Sequence, residues 1–369
     1  MATKKDNRIT HKTKTAQTKN NKKATKKQAK VQSRRSTGKA SYQEQVSVPR
    51  NALSYEEIVI KNIVSNSNAA RVPEEAVLMS SAISSMSGGM KELHYRSGIS
   101  IGRALYKMSN EKKNYTFPEE SVADLVAFFE SAGHRNVSYR SYPGDIEIKI
   151  HEKKGPEMGT NLHSFEAGII SGFLSAAEQK YVNVSEESCV NASGSFCKFS
   201  AGPSQIKPYQ LFASHTSPDA AALDRFADHI AQKARTRHDN NINGMANEYY
   251  LLSSSLLLDR SYLESIKSIA AYMGKSVGEK ILTQHNGRVP PSEITNAIRL
   301  LNLGNPIILD TKPFHMELSF DKVTSRKEFI DVSLAFVNGL LSNRFGKSAV
   351  ATEHSNKEDY IVDIRESKT

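Results

Sequence analysis

Cysteine is scarce in this chain: 369 residues hold two, Cys189 and Cys197. Two thiols do not make the disulfide framework of a secreted scaffold. The sequons at Asn114, Asn136, Asn183 and Asn191 are therefore read as chance matches. No run of about 18 apolar residues occurs, which excludes a hydrophobic transmembrane helix. The opening Met-Ala-Thr-Lys-Lys-Asp has no apolar stretch behind it, so no secretory signal is expected and the cytoplasm is the expected compartment. Acidic residues are missing too, but only locally. Residues 1–40 carry 14 Lys and Arg against one acid, Asp6, in a chain whose net charge is +11. All of the basicity lies in this segment, and the rest of the chain is nearly neutral. The segment also lacks aromatics and has only Ile9 and Val31 as large aliphatics. It cannot bury enough surface to offset chain entropy, so residues 1–47 are expected to be a disordered basic tail.

What is present beyond the tail is a repeat. Leu78-Met-Ser-Ser81 matches Leu251-Leu-Ser-Ser254. Gly98-Ile-Ser-Ile-Gly102 matches Gly274-Lys-Ser-Val-Gly278. Pro118 and Pro291 each open an amphipathic helix, expected to end at Gly133 and Gly304. Alternating stretches follow at 145–150 and 315–320, the period of a strand with one buried face. Apolar helices follow at Phe165–Leu174 and Val332–Leu341, and a strand closes each copy near Glu186 and Glu353. The order of features is the same in both copies, which points to duplication rather than coincidence. Each copy reads helix, helix, strand, strand, helix, strand. The expected fold class is α+β: two tandem modules, each an antiparallel sheet packed by helices. The expected boundaries are 48–204 for the first module, 205–249 for a connector with a helix near Ala220–Lys233, and 250–369 for the second.

The chemistry concentrates in Glu186-Glu-Ser-Cys189-Val-Asn-Ala-Ser-Gly194-Ser-Phe-Cys197. The Gly-containing turn lets two strands double back and bring the thiols together. His163 lies just upstream, at the start of the apolar helix. Two thiolates, an imidazole and a carboxylate suit a tetrahedral zinc shell, and soft sulfur favours zinc over magnesium or calcium. The bland alternative makes both cysteines small buried hydrophobes and His163 a helix cap. Glu187 competes with Glu186 for the carboxylate role, although Glu186 is the residue that pairs with Glu353 in the repeat.

The Gly98-x-x-x-Gly102 pair, the Phe165-Glu-Ala-Gly-x-x-x-Gly helix and the Glu186-x-x-Cys189 to Cys197 close resemble the 4-vinyl-reductase domain family. That family includes sensor modules of aromatic-responsive bacterial transcription activators. It shares a fold with subunits of the transport-protein-particle tethering complex. The resemblance covers residues 75–200, and reaches residues 250–365 only through the internal repeat. It implies a structural zinc on His163, Glu186, Cys189 and Cys197, with His163 standing where the sensor modules have cysteine. It implies an apolar pocket for a small apolar or aromatic ligand, for which Tyr142 and Phe165 are the candidates among several aromatics. It also implies pairing, either as a homodimer or as a pseudo-dimer within the chain. The second copy has Ile330 and Asn356 at the places of His163 and Cys189, so it is expected to hold no metal.

Other signals are weak. Gly274-Lys-Ser and Gly346-Lys-Ser lack the second glycine of a phosphate loop. Gly-x-Ser-x-Gly occurs at Ser100 and Ser276, but no buried strand precedes either, as a nucleophile elbow requires. No dinucleotide loop or His-Glu-x-x-His occurs, and no enzymatic activity is expected. The tail has no aromatic for base stacking and no amphipathic face. Its dense cations at Lys22, Lys23, Lys26, Lys27, Lys30, Arg34 and Arg35 suit non-specific phosphate contact, hence nucleic acid, DNA or RNA. A purely solubilising role and an anionic membrane surface are the alternatives. The expected function is a non-catalytic ligand-binding sensor or scaffold, with an architectural nucleic-acid-binding protein as the alternative.

Overall fold

Two pairs of helices in this chain touch backbone to backbone, and small residues make that contact possible. The computed structural model describes residues 53–65, 75, 78–80, 82–83, 90–132, 134, 136–142, 145–151, 163–192, 194–206, 220–236, 262–321, 327–345, 350–355 and 359–366. The expected tail, with its basic clusters, lies outside the described residues. From Asn51 onward the chain forms a single compact unit. No helix among the described residues is long and apolar enough to cross a membrane.

The first copy begins with helix α1 (Tyr55–Ser65), followed by α2 (Met90–Lys113) and α3 (Pro118–Ser131). Strands β1 (Val137–Tyr142) and β2 (Asp145–Ile150) form a hairpin. Helix α4 (Ser164–Glu178) then leads into β3 (Val182–Ser188) and β4 (Cys197–Pro203). The sheet is antiparallel in the order β1-β2-β4-β3. The second copy repeats the plan. It has α5 (Ala220–Ala234), α6 (Tyr262–Gln284), α7 (Pro291–Leu300), β5 (Asn305–Thr311) and β6 (Phe314–Asp321). It closes with α8 (Lys327–Phe345), β7 (Val350–Ser355) and β8 (Asp359–Arg365), in the sheet order β5-β6-β8-β7.

Two features differ from the sequence reading. Each copy ends in a hairpin of two strands rather than a lone strand. And α3 and α7 stop at Ser131 and Leu300, short of the glycines expected to end them. The helix expected near Ala220–Lys233 is α5. It packs on α6 and α7 as α1 packs on α2 and α3, so the stretch read as a connector supplies a helix equivalent to α1.

Strand alternation decides which side chains enter the core. In β2, Ile146, Ile148 and Ile150 are buried, whereas Glu147 and Lys149 face outward. In β4, Cys197, Phe199 and Ala201 are buried in the same way. The helices cover this inner face. Gly98 and Gly102 on α2 meet Gly168 and Gly172 on α4 so closely that no side chain fits between them. A Cβ on Gly102 would overlap Ile169 O, and one on Gly172 would overlap Ile99 O. In the second copy, Gly274 and Gly278 on α6 meet α8 around Gly339. A Cβ on Gly278 would lie 2.8 Å from Leu340 O. The Gly-x-Ser-x-Gly segments are therefore helix-packing surfaces. Ser100 sits mid-helix and donates to Glu56 Oε1 at 2.8 Å, with no nucleophile elbow.

Polar bonds join the two copies. The buried carboxylate of Glu75 is paired with Lys233 and His229 of α5. Burial alone would raise its pKa, but these hydrogen bonds outweigh burial and hold it at about 2. Within the second copy, Asn296 of α7 donates to the carbonyls of Ala234 and Thr236.

The glycine contact makes a direct prediction. Gly102→Ala must push α2 off α4, and overpacking of this kind costs about 1–3 kcal/mol. Gly202 has nothing within 4 Å of an added Cβ, so Gly202→Ala should stay within roughly 0.5 kcal/mol of wild type. Urea denaturation of both variants checks this, and equal stabilities would contradict the packing account.

Candidate metal centre

The site is assembled at the point where α4 begins and the last hairpin of the first sheet turns. His163 occupies the N-cap position of α4, with φ −96° and ψ 44°. Its carbonyl accepts the first helical bond, from Ala167 N–H at 2.9 Å. Its own N–H donates to Glu186 Oε2 at 3.0 Å, and its Nδ1 lies 2.8 Å from Glu186 Oε1. A single carboxylate thus clamps both the backbone and the ring of His163.

Glu186 reaches this position because it shares the inner face of β3 with Val182 and Val184. Its side chain is 5% exposed. The register shifts between Glu186 and Ser188, and this bulge re-aims the chain. Cys189 follows, then a 3₁₀ turn, Val190–Ala192. Cys189 O accepts from both Ala192 N–H at 3.0 Å and Gly194 N–H at 2.8 Å. The turn needs a glycine at 194, since an added Cβ would lie 2.8 Å from Cys189 O. Ser188 Oγ donates to Phe196 O at 3.0 Å, which holds the hairpin closed. Cys197 opens β4 opposite Ile150, with its side chain inward.

The four side chains converge. One ligand atom from each of His163, Glu186, Cys189 and Cys197 lies within 4.8 Å of all the others. Cys189 Sγ is 3.6 Å from His163 Nδ1. His163 and both cysteines are at most 1% exposed, and the thiols are free. Phe199 closes the site edge-on to the imidazole, with centroids 6.3 Å apart.

The electrostatics favour the charged form at Glu186 and at one of the two thiols. For Glu186, burial pushes the pKa up, but the charge and hydrogen bonds of His163 outweigh it, leaving the carboxyl below its usual range. The two thiols share one hydrogen bond. It favours the thiolate at Cys189, helped by His163. The same bond, together with burial, pushes Cys197 up. An isolated buried carboxylate and thiolate would be costly. Here each has a partner, and a cation would satisfy all four groups. Two sulfurs, one nitrogen and one oxygen form a mixed donor set that suits a tetrahedral metal.

Glu187 takes no part. It faces outward, 2.8 Å from Lys198, which separates it from Glu186, favoured in the sequence only through the repeat. The ligand-pocket candidates lie elsewhere. Tyr142 ends β1 opposite Asp145. Phe165 is buried on α4, edge-on to His94 with centroids 6.5 Å apart, and so is part of the core. Lys22, Lys23, Lys26, Lys27, Lys30, Arg34 and Arg35 fall outside the described residues.

The second copy shows what the centre would be without its donors. Glu353 lies opposite Val362 as Glu186 lies opposite Phe199. Tyr360 lies opposite Phe320 as Cys197 lies opposite Ile150. Ile330, at the place of His163, is buried in α8. Glu353 turns to Lys327 at the surface, its side chain 53% exposed.

No family model matches the chain, and no curated protein matches it.

The duplicated glutamates give an internally controlled prediction. In metal-free protein, Glu186→Ala strands the buried His163 N–H and should cost about 2 kcal/mol. Glu353→Ala removes only an exposed ion pair and should cost less than about 1 kcal/mol. Denaturation of the two variants in chelator measures the contrast, and equal losses would refute the clamp.

Proposed function

We propose that this chain is a non-catalytic, zinc-containing sensor or scaffold protein of the 4-vinyl-reductase type, acting in the cytoplasm. The observation that carries the reading is the convergence of four buried donors, two of them thiols, from three separate elements. Zinc is the metal this set favours, because thiolate and imidazole together suit it better than they suit magnesium or calcium. Four protein ligands leave no open position for water, so the metal would brace the start of α4 against β3 and β4 rather than activate a substrate. The duplicated topology supports the tandem-module reading and a pseudo-dimer within one chain. The second copy, which lacks the donors, would serve as the metal-free partner. A small apolar or aromatic ligand is the molecule such a sensor would bind.

The basic tail supports a second component, contact with nucleic acid. Fourteen cations against one acid in residues 1–40 would release counterions on binding phosphate and make affinity fall steeply with salt.

Elemental analysis of purified chain, wild type and Cys189→Ser, tests the metal. About one zinc per wild-type chain, lost in the variant together with thermal stability, is the expected result. A wild-type chain purified without chelator and free of metal would make the cysteines core residues. The tail is tested by deleting residues 1–40 and titrating duplex DNA and RNA. Affinity should drop by at least tenfold at low salt. If deletion abolishes all activity and no small molecule stabilises the protein, the architectural reading replaces the sensor one.

A further inference from the structure

Between α1, α2 and α3 the first copy leaves a cleft of ≈ 290 Å³. Leu105 and Met108 of α2 and Phe128 of α3 form its floor, and Ile60 and Val64 of α1 form one wall. Lysines stand at its rim. Lys113 is taken by Asp124, which also accepts the Tyr115 hydroxyl. Lys61 and Lys112 are exposed and make no ion pair among the described residues. The cleft therefore combines an apolar floor with two lysines at its mouth that pair with no acid among the described residues.

The second copy has equivalent positions. At the offset that carries Gly102 to Gly278, Leu105 corresponds to Ile281. At the offset that carries Pro118 to Pro291, Phe128 corresponds to Leu301. Both counterparts are buried, as Leu105 and Phe128 are. The helix above them is α5. It presses Phe226 and Ile230 fully into the space. On α1, by contrast, Val64 is 48% exposed beside the cleft.

We propose that the α1/α2/α3 cleft binds a small anionic amphiphile: an apolar body on Leu105, Met108 and Phe128, with a carboxylate-class head held by Lys61 and Lys112. The volume lies at the small end of ligand sites, which run to roughly 300–1,000 Å³ and are mostly apolar with a few placed polar groups. The inference rests on the ligand-binding part of the proposed function and places that ligand away from the metal centre. It also gives the ligand a charge that the sequence reading did not.

The test uses the full chain and two probes of equal length and opposite charge, decanoate and decyltrimethylammonium. Titration calorimetry and melting curves are run on wild type, Val64→Trp and the Lys61→Glu/Lys112→Glu double variant. Val64 is exposed, so the bulky variant should fold with an unchanged melting temperature while blocking the cleft. One saturable site is expected for decanoate. It should weaken at least tenfold in Val64→Trp and in the double variant, and the wild type should prefer it at least tenfold over the cation. Equal binding of both probes, or decanoate binding that Val64→Trp leaves untouched, would overturn the cleft assignment. The second of these results leaves a ligand bound elsewhere, so the sensor reading would stand. Stabilisation by neither probe nor by neutral aromatic compounds would remove the ligand reading as well. Binding to phosphatidylglycerol vesicles but not to free decanoate would make the cleft a membrane contact and refute a free ligand.

Discussion

The direct contact of α2 with α4 is the constraint on which the first copy depends. Gly98 and Gly102 face Gly168 and Gly172, and no Cβ fits between the helices. Close-packed interiors transmit such restrictions rather than absorb them. With α4 fixed against α2, its first residue is fixed too. That residue follows His163, whose backbone and ring are both held by Glu186. The helix contact therefore sets one end of the four-donor cluster, and the sheet under α4 sets the other. The second copy keeps the helix contact through Gly274, Gly278 and Gly339 but has lost the donors. The packing device and the site are thus separable, and only the packing was needed to keep the fold.

The centre itself is built from irregularities. A helix N-cap, a β-bulge and a 3₁₀ turn each contribute one step. The bulge after Glu186 moves the chain out of strict alternation, and the turn with Gly194 aims Cys189 back toward His163. Burial makes lone charges in such a place unfavourable. The shared hydrogen bonds among His163, Glu186 and the two thiols partly offset that cost, and a cation would offset the remainder. A donor set that is buried, mutually bonded and mixed in chemistry differs from the exposed acidic groups that many proteins carry without any ion.

Much of this was legible in the sequence, and the reasons are specific. Alternation in Asp145–Ile150 and in Phe314–Asp321 marks the central strands because one face of each is buried. The spacing of Cys189 and Cys197 about Gly194 announces a hairpin. Glu186 was favoured over Glu187 only through the repeat, because adjacent residues in a strand look alike until a face is assigned. The bulge could not be read, since it depends on pairing with β4. The element order counted one closing strand per copy: the doubling-back about Gly194 foreshadows β4, but nothing in the second copy marks β8 in the same way. Phe165 was a candidate pocket residue because an aromatic side chain on an apolar helix reads the same whether it lines a cavity or fills one. The α1/α2/α3 cleft was invisible, because it depends on how three helices pack together, which is a tertiary property.

The account turns on what occupies the four-donor centre, and X-ray absorption at the zinc edge on the full chain addresses it most directly. The prediction is a shell of two sulfurs at about 2.3 Å with two nitrogen or oxygen atoms at about 2.0–2.1 Å. Cys197→Ser should lower the bound zinc as Cys189→Ser does, and any zinc retained should show one sulfur. A zinc shell made only of nitrogen and oxygen, or a spectrum unchanged by the substitution, would contradict the assignment of His163, Glu186, Cys189 and Cys197 as a metal centre.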